Sequence, residues 1–300
     1  FDAVIVSGIA AITLPYALLS AEKEIPEHQI PLFYSAFLLC FAGFLGITQT
    51  GDIFNVFVFL EISSLASYAL ISLGRKRQAL TAAYQYLIMG TLGATFFLIG
   101  VGLIYSQTGT LNMVDLANIL PGVSGLKTVH TGFAFIVIGI ALKLALFPLH
   151  LWLPNAYTYA PTVVTIFLAA TATKVAVYVM LRIMFSIFPD GFVSETPAAD
   201  LFVISGLAGI IVASVYAIYQ TDVKRLLAYS SVAQIGYIAL GIGFASATGL
   251  TATIIHLFNH AIMKGALFMA VGAIIYRVGV CRLDNIQGLG RQMPWTFAAI

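Results

Sequence analysis

Three hundred residues, 60% of them hydrophobic and only 9% charged, have a mean hydropathy of +0.99. A water-soluble globule carries roughly 25% charged residues, so too little polar surface exists here to cover one, and the chain reads as an all-α polytopic membrane protein. The net charge of +2 is accounted for by basic loops rather than by nucleic-acid binding, and two distant cysteines, Cys40 and Cys281, suggest neither a disulfide framework nor a metal site.

A membrane-spanning helix needs about 20 mainly apolar residues. In chain order, qualifying runs lie near 3–20, 32–50, 53–72, 82–106, 131–148, 161–187, 201–219, 225–245 and 250–276, and a tenth starts near 294. Lipid offers no partner to free backbone groups, so each run is expected to be a helix. The first run lacks a basic segment or small-residue cleavage site ahead of it, so it is read as a span and not a signal peptide. The chain, which starts at Phe1 inside an apolar stretch, is read as an internal piece of a longer protein.

The connecting loops alternate in charge. Lys23, Arg75, Lys76, Arg77, Lys224, Arg225, Arg277, Arg282 and Arg291 fall on one side, which the positive-inside rule places in the cytoplasm. The other side has Lys127, and its 188–200 loop has Asp190, Glu195 and Asp200 without a basic residue.

Most charges fall in loops or at helix ends. Glu61, Lys143, Lys174 and Lys264 do not, and His256 and His260 are mid-helix with them. Intramembrane ionisable groups are costly, about 2.5–3.5 kcal/mol each on insertion scales, and usually mark ion pathways. Glu61, Lys174, His256, His260 and Lys264 lie at roughly one depth on different helices, with Lys143 a little nearer the cytoplasmic end of its helix, which points to a proton relay running partly in the membrane plane. His256, His260 and Lys264 follow i, i+4, i+8 and so share a helix face. Histidine titrates near neutral pH, and a buried lysine shifts toward it. A lysine beside Glu61 would supply a switchable pair, or would lock two helices together. Arg182, near a helix end, is expected to reach toward the outer surface or Asp190. His28, His130 and His150 are expected at the surface. His256 and His260 have the spacing of two zinc ligands, but Leu257 stands where the His-Glu-x-x-His glutamate would be and no third ligand is evident.

The stretch from Phe147 to Pro161 contains Pro148, Pro154 and Pro161. Pro148 removes a backbone donor five residues after Lys143 and is expected to break the helix there. Loosened carbonyls at such a break suit either an ion pathway or an ordinary cytoplasmic turn. Asp222 is expected to cap the helix of 225–245.

Several runs together resemble one family. They are Asp52-Ile-Phe-Asn-Val-Phe-Val-Phe-Leu-Glu61, Leu142-Lys143-Leu-Ala-Leu-Phe-Pro148-Leu-His-Leu-Trp-Leu-Pro154, Thr173-Lys174, Gln220-Thr-Asp-Val-Lys-Arg-Leu-Leu-Ala-Tyr-Ser-Ser and His256-Leu-Phe-Asn-His260-Ala-Ile-Met-Lys264. They are similar to the antiporter-like subunits of respiratory complex I, membrane-bound hydrogenases and Mrp-type sodium/proton antiporters, most of all to the D component of the Mrp antiporters.

The resemblance implies a fourteen-helix subunit with inverted five-helix repeats, each with one broken helix, here near Pro148. This chain would be a single membrane domain, 1–300, holding about helices 3–12, with a first repeat near 32–187 and an incomplete second near 201–300. It also implies pairing of Glu61 with Lys143, a central relay at Lys174, and onward passage through His256, His260 and Lys264. The implied setting is the cell inner membrane, with other membrane subunits of the same complex as partners, H+ and Na+ as the transported ions, and no cofactor. The resemblance leaves open whether the assembly is an Mrp antiporter or a complex I-like or hydrogenase complex.

Overall fold

The computed structural model describes residues 2–189 and 191–300, and among them the regular structure is helical. The helices are α1 (Asp2–Glu24), α2 (Ile30–Gln49), α3 (Ile53–Ser72), α4 (Arg77–Thr108), α5 (Met113–Val123), α6 (Lys127–Leu144), α7 (Trp152–Tyr159), α8 (Thr162–Arg182), α9 (Phe192–Glu195), α10 (Ala198–Ile218), α11 (Val223–Gly243), α12 (Ala247–Val278) and α13 (Pro294–Ala298). Nine of the described helices are long and apolar enough to cross a membrane, and they coincide with the nine complete runs expected from hydropathy. The chain is a multi-pass membrane protein.

α8 is the axis of the bundle. It is the most buried of the spans and packs against α1, α2, α6 and α12. Such a helix is covered by its neighbours on every side. It continues past Arg182 into a π-helical turn, Ile183–Ile187.

The flanking helices close on one another through glycine. A Cβ built on Gly139 of α6 would meet Phe97 N of α4 at 2.7 Å, and one on Gly93 would meet Gly139 O at 2.8 Å. Neither position has room for a side chain, and the absence of one lets the two backbones touch.

Two loop junctions repeat one device. Asp52 caps α3 by accepting from Asn55 N at 2.8 Å, and its segment pairs with that around Asn112. Asp222 caps α11 by accepting from Arg225 N at 3.2 Å, as expected, and its segment pairs with that around Arg282. α4 and α12 both end at a glycine in the left-handed region, Gly109 and Gly279. Each second-half position lies 170 residues after its counterpart (222 against 52, 282 against 112, 279 against 109). α3 starts on the acidic side of the bundle and α11 on the basic side, so the two copies run in opposite directions.

The run expected over 131–148 stops earlier. α6 ends at Leu144, where Ala145 adopts φ 59°, and the Phe147–Pro148 peptide is cis. The chain then crosses a turn and resumes as α7. The carbonyls loosened by this break are taken by the chain itself, since Trp152 Nε1 donates to Leu142 O at 3.0 Å and Leu146 N to Ala141 O at 3.0 Å. Beyond 294 only the five-residue α13 forms within the described chain.

Candidate functional site

Glu61 stands midway along α3, and Lys143 occupies the last turn of α6. Their side chains meet. Lys143 Nζ lies 3.1 Å from Glu61 Oε1 and donates to Ser64 Oγ at 2.7 Å. Ser64 is three residues after Glu61, so one helix face presents both groups. The negative end of the α6 dipole adds to the hold on the ammonium. Breaking such a pair by removing one partner typically costs about 3–5 kcal/mol, because the other charge is left buried and uncompensated. The two charges therefore behave as a unit. Beside Lys143 a cavity of about 10 Å³ reaches from Ser64 and Tyr86 to Ala172 and Val175 of α8, with room for roughly one water molecule.

Lys174 lies at the middle of α8 and is 2% exposed. Its Nζ donates to Ala169 O at 2.5 Å and to Thr173 Oγ1 at 3.4 Å. Lys264 of α12 is fully buried and donates to Leu227 O at 2.9 Å and Ser230 Oγ at 3.0 Å, both from α11. Among the described residues neither lysine has a carboxylate within ion-pair reach. An ammonium at Lys143 faces a carboxylate, whereas one at Lys174 or Lys264 faces only carbonyl and hydroxyl dipoles.

His256 and His260 stack one turn apart, with ring centroids 6.1 Å apart and planes 14° from parallel. Both ring nitrogens of His260, and Nε2 of His256, are buried without a partner. The structure thus joins Glu61 to Lys143 directly, and α12, which packs on both α8 and α11, turns Lys264 and His256 toward α11, with the His256 ring 6.0 Å from that of Tyr237. No hydrogen bond among the described residues links the first pair to Lys174, or Lys174 to the α12 groups.

The fold is shared with known proteins. Residues 50–300 match the model of the family described as NADH:quinone oxidoreductase/Mrp antiporter, transmembrane. The chain belongs to this family. It is 45% identical to the N component of the NADH-quinone oxidoreductase of Desulforudis audaxviator over 97% of its length, and 32% identical to the D component of the Na(+)/H(+) antiporter of Alkalihalophilus pseudofirmus over 96%. It spans 57% of each of these relatives. Among solved structures, it superposes on a chain of an archaeal membrane-bound sulfane sulfur reductase with a TM-score of 0.90 and 36% identity, covering 99% of this chain and 60% of that one.

Within this family member, four positions depart from the expectations of the sequence or escape them. Ser64 and Ser230 hold the ammonium groups of Lys143 and Lys264, and serine in a helix gave no signal of that role. Lys224, expected at the interface with Arg225, is 6% exposed and donates to Ala160 O at 2.8 Å. Its ammonium is held by a carbonyl 64 residues away in the chain. His150, expected at the surface, is buried, with its ring 5.2 Å from that of Phe147, because the break folds it inward. His28 and His130 are not buried, as expected. Arg182 donates to Thr50 O at 2.6 Å at the turn between α2 and α3, while its other expected neighbour, Asp190, lies outside the described residues.

Proposed function

We propose that this chain is the proton-translocating part of a membrane subunit in a multi-subunit Na+/H+ antiporter of the Mrp type, in the cell inner membrane with other membrane subunits as partners. Glu61, Lys143, Lys174, His256, His260 and Lys264 carry the proton. The Lys143–Glu61 contact at the end of a broken helix carries the reading. A lysine that can face a carboxylate at one end of a set of buried basic groups gives a proton unequal resting places, and an ion elsewhere in the complex can shift the balance between them. The 32% identity with the D component of an Na(+)/H(+) antiporter supports sodium as the counter-ion. The two oppositely directed halves, near 32–187 and 201–300, supply the inverted repeats of such a transporter.

A second reading has its own support. The 45% identity with a component of a quinone oxidoreductase favours the same relay driven by a redox complex, with electron transfer in a partner.

The test uses everted membrane vesicles containing the full-length protein in its complex, with a fluorescent ΔpH probe. Glu61→Ala, Lys143→Ala and Lys174→Ala each abolish sodium-dependent pH change while the complex stays assembled. Wild-type transport in the Glu61 and Lys143 variants would remove the relay assignment. Proton movement that answers to an electron donor and ignores sodium would select the redox reading.

A further inference from the structure

Several helix ends meet around one cavity on the basic side of the bundle. The cavity is about 360 Å³ and is walled by the α3–α4 turn, the α7–α8 turn, the start of α11 and the ends of α1 and α12. Backbone contacts fix these walls. A Cβ built on Gly74 would lie 2.6 Å from Tyr159 O, so the α3–α4 turn rests directly on the end of α7. Val223 N donates to Cys281 O at 3.0 Å and Leu283 N to Thr221 O at 3.0 Å, which ties the start of α11 to the segment after α12.

Lys23, Arg75, Lys76, Lys224 and Arg282 border the cavity, against Glu24 and Asp222. Both carboxylates are engaged with backbone. Glu24 Oε2 accepts from Thr162 N at 2.5 Å at the start of α8, and Asp222 Oδ1 accepts from Arg225 N at 3.2 Å at the start of α11. The start of α4, at Lys76, has no side-chain cap. Among the described residues none of the five cations is ion-paired with a carboxylate. Lys23 lies over the Tyr276 ring, 3.5 Å from its centroid. Lys224 is buried and spends one of its three donors on Ala160 O. Arg75, Lys76 and Arg282 are exposed, and none of them has a hydrogen-bond acceptor among the described residues. Donors and positive charge are therefore in excess around one fixed volume, and the open N-terminus of α4 adds to the excess. An oxyanion placed there matches both, and basic pockets at the cytoplasmic ends of membrane helices take phosphate groups in this way.

We propose that this cavity is a phosphate-binding site in which Lys224 is the buried anchor and Arg75, Lys76 and Arg282 close over the anion. A phosphate group is wide enough to take donors from several walls at once. It ties the α3–α4 turn of the first half to the helix ends of the second. Inorganic phosphate in solution and the headgroup of an anionic lipid offer the same chemistry.

The purified full-length protein in its complex, stripped of lipid in detergent, tests the site. Its thermal midpoint is titrated with sodium phosphate against sodium chloride at matched ionic strength. In parallel it is measured in nanodiscs of phosphatidylcholine alone and of phosphatidylcholine mixed with phosphatidylglycerol. Phosphate raises the midpoint where chloride does not. In the double variant Lys76→Gln, Arg282→Gln the titration moves to at least about tenfold higher phosphate, because a hydrogen bond to a charged group is worth more than one tenfold step. Neither side chain has a protein partner, so the double variant still folds. Arg77→Gln, whose side chain does not border the cavity, leaves the titration unchanged. No response to phosphate in solution, with a rise in phosphatidylglycerol that the double variant loses, assigns the site to a lipid headgroup. A double variant that keeps the full response to both probes overturns the site, and so does a wild type that responds to neither. The readout is binding, so its failure is separate from a failure of the transport assay.

Discussion

Lys143 shows how one side chain serves two masters. Its ammonium takes a carboxylate from Glu61 and a hydroxyl from Ser64, so it is solvated by protein where lipid offers nothing. A hydrogen bond to a charged group contributes about 1.5–3 kcal/mol. Ser64→Ala therefore lowers the rate of proton movement by roughly one order of magnitude while Glu61 remains in contact, since each 1.4 kcal/mol in a barrier is about tenfold in rate. An unchanged rate in the vesicle assay would show that the hydroxyl does no more than fill space. The need for a small hydroxyl beside Lys143 was not visible in the sequence, because Ser64 and Lys143 are 79 residues apart and serine is common at helix contacts.

The break between α6 and α7 is the element that presents Lys143. Pro148 made its existence legible, since proline cannot continue the hydrogen-bond ladder. Its place was not legible, because the helix gives way three residues before Pro148, at Ala145, where a left-handed residue is stabilised by what the freed carbonyls can find. Trp152 supplies one partner and stacks on Tyr86 with ring centroids 3.9 Å apart. Trp152→Phe keeps the stacking and loses the donor, leaving the Leu142 carbonyl one bond short. The purified complex should lose about 1–3 kcal/mol of stability, read as a lower thermal midpoint in detergent, and part of its transport, because Lys143 adjoins the same carbonyl. An unchanged midpoint would mean that water replaces the indole.

The whole molecule is a set of helices drawn around α8. Hydropathy located the nine spans of the described chain, since each must satisfy its own backbone in lipid. The distances between helices are set by residues with no side chain. At Gly139 a Cβ would lie 2.7 Å from the α4 backbone, which cannot yield as a flexible side chain can. Gly139→Leu forces α4 and α6 apart, a change of the overpacking kind that costs about 1–3 kcal/mol or more, and moves Lys143 away from Glu61. The expected outcome is a sharp fall in assembled complex on native gels, and a normal yield would show that the seam between α4 and α6 is looser than its geometry.

The sequence by itself determined the membrane class, the nine spans, the family, and the six ionisable groups that lipid makes expensive. Those follow from local physics, as apolar length, charge and helical period are properties of consecutive residues. Tertiary structure alone decided that Lys143 reaches Glu61, that Lys174 and Lys264 face neutral acceptors, and that Lys224 and His150 are buried. Burial and partnership belong to pairs of residues tens or hundreds of positions apart, and only the packing of helices brings such pairs together.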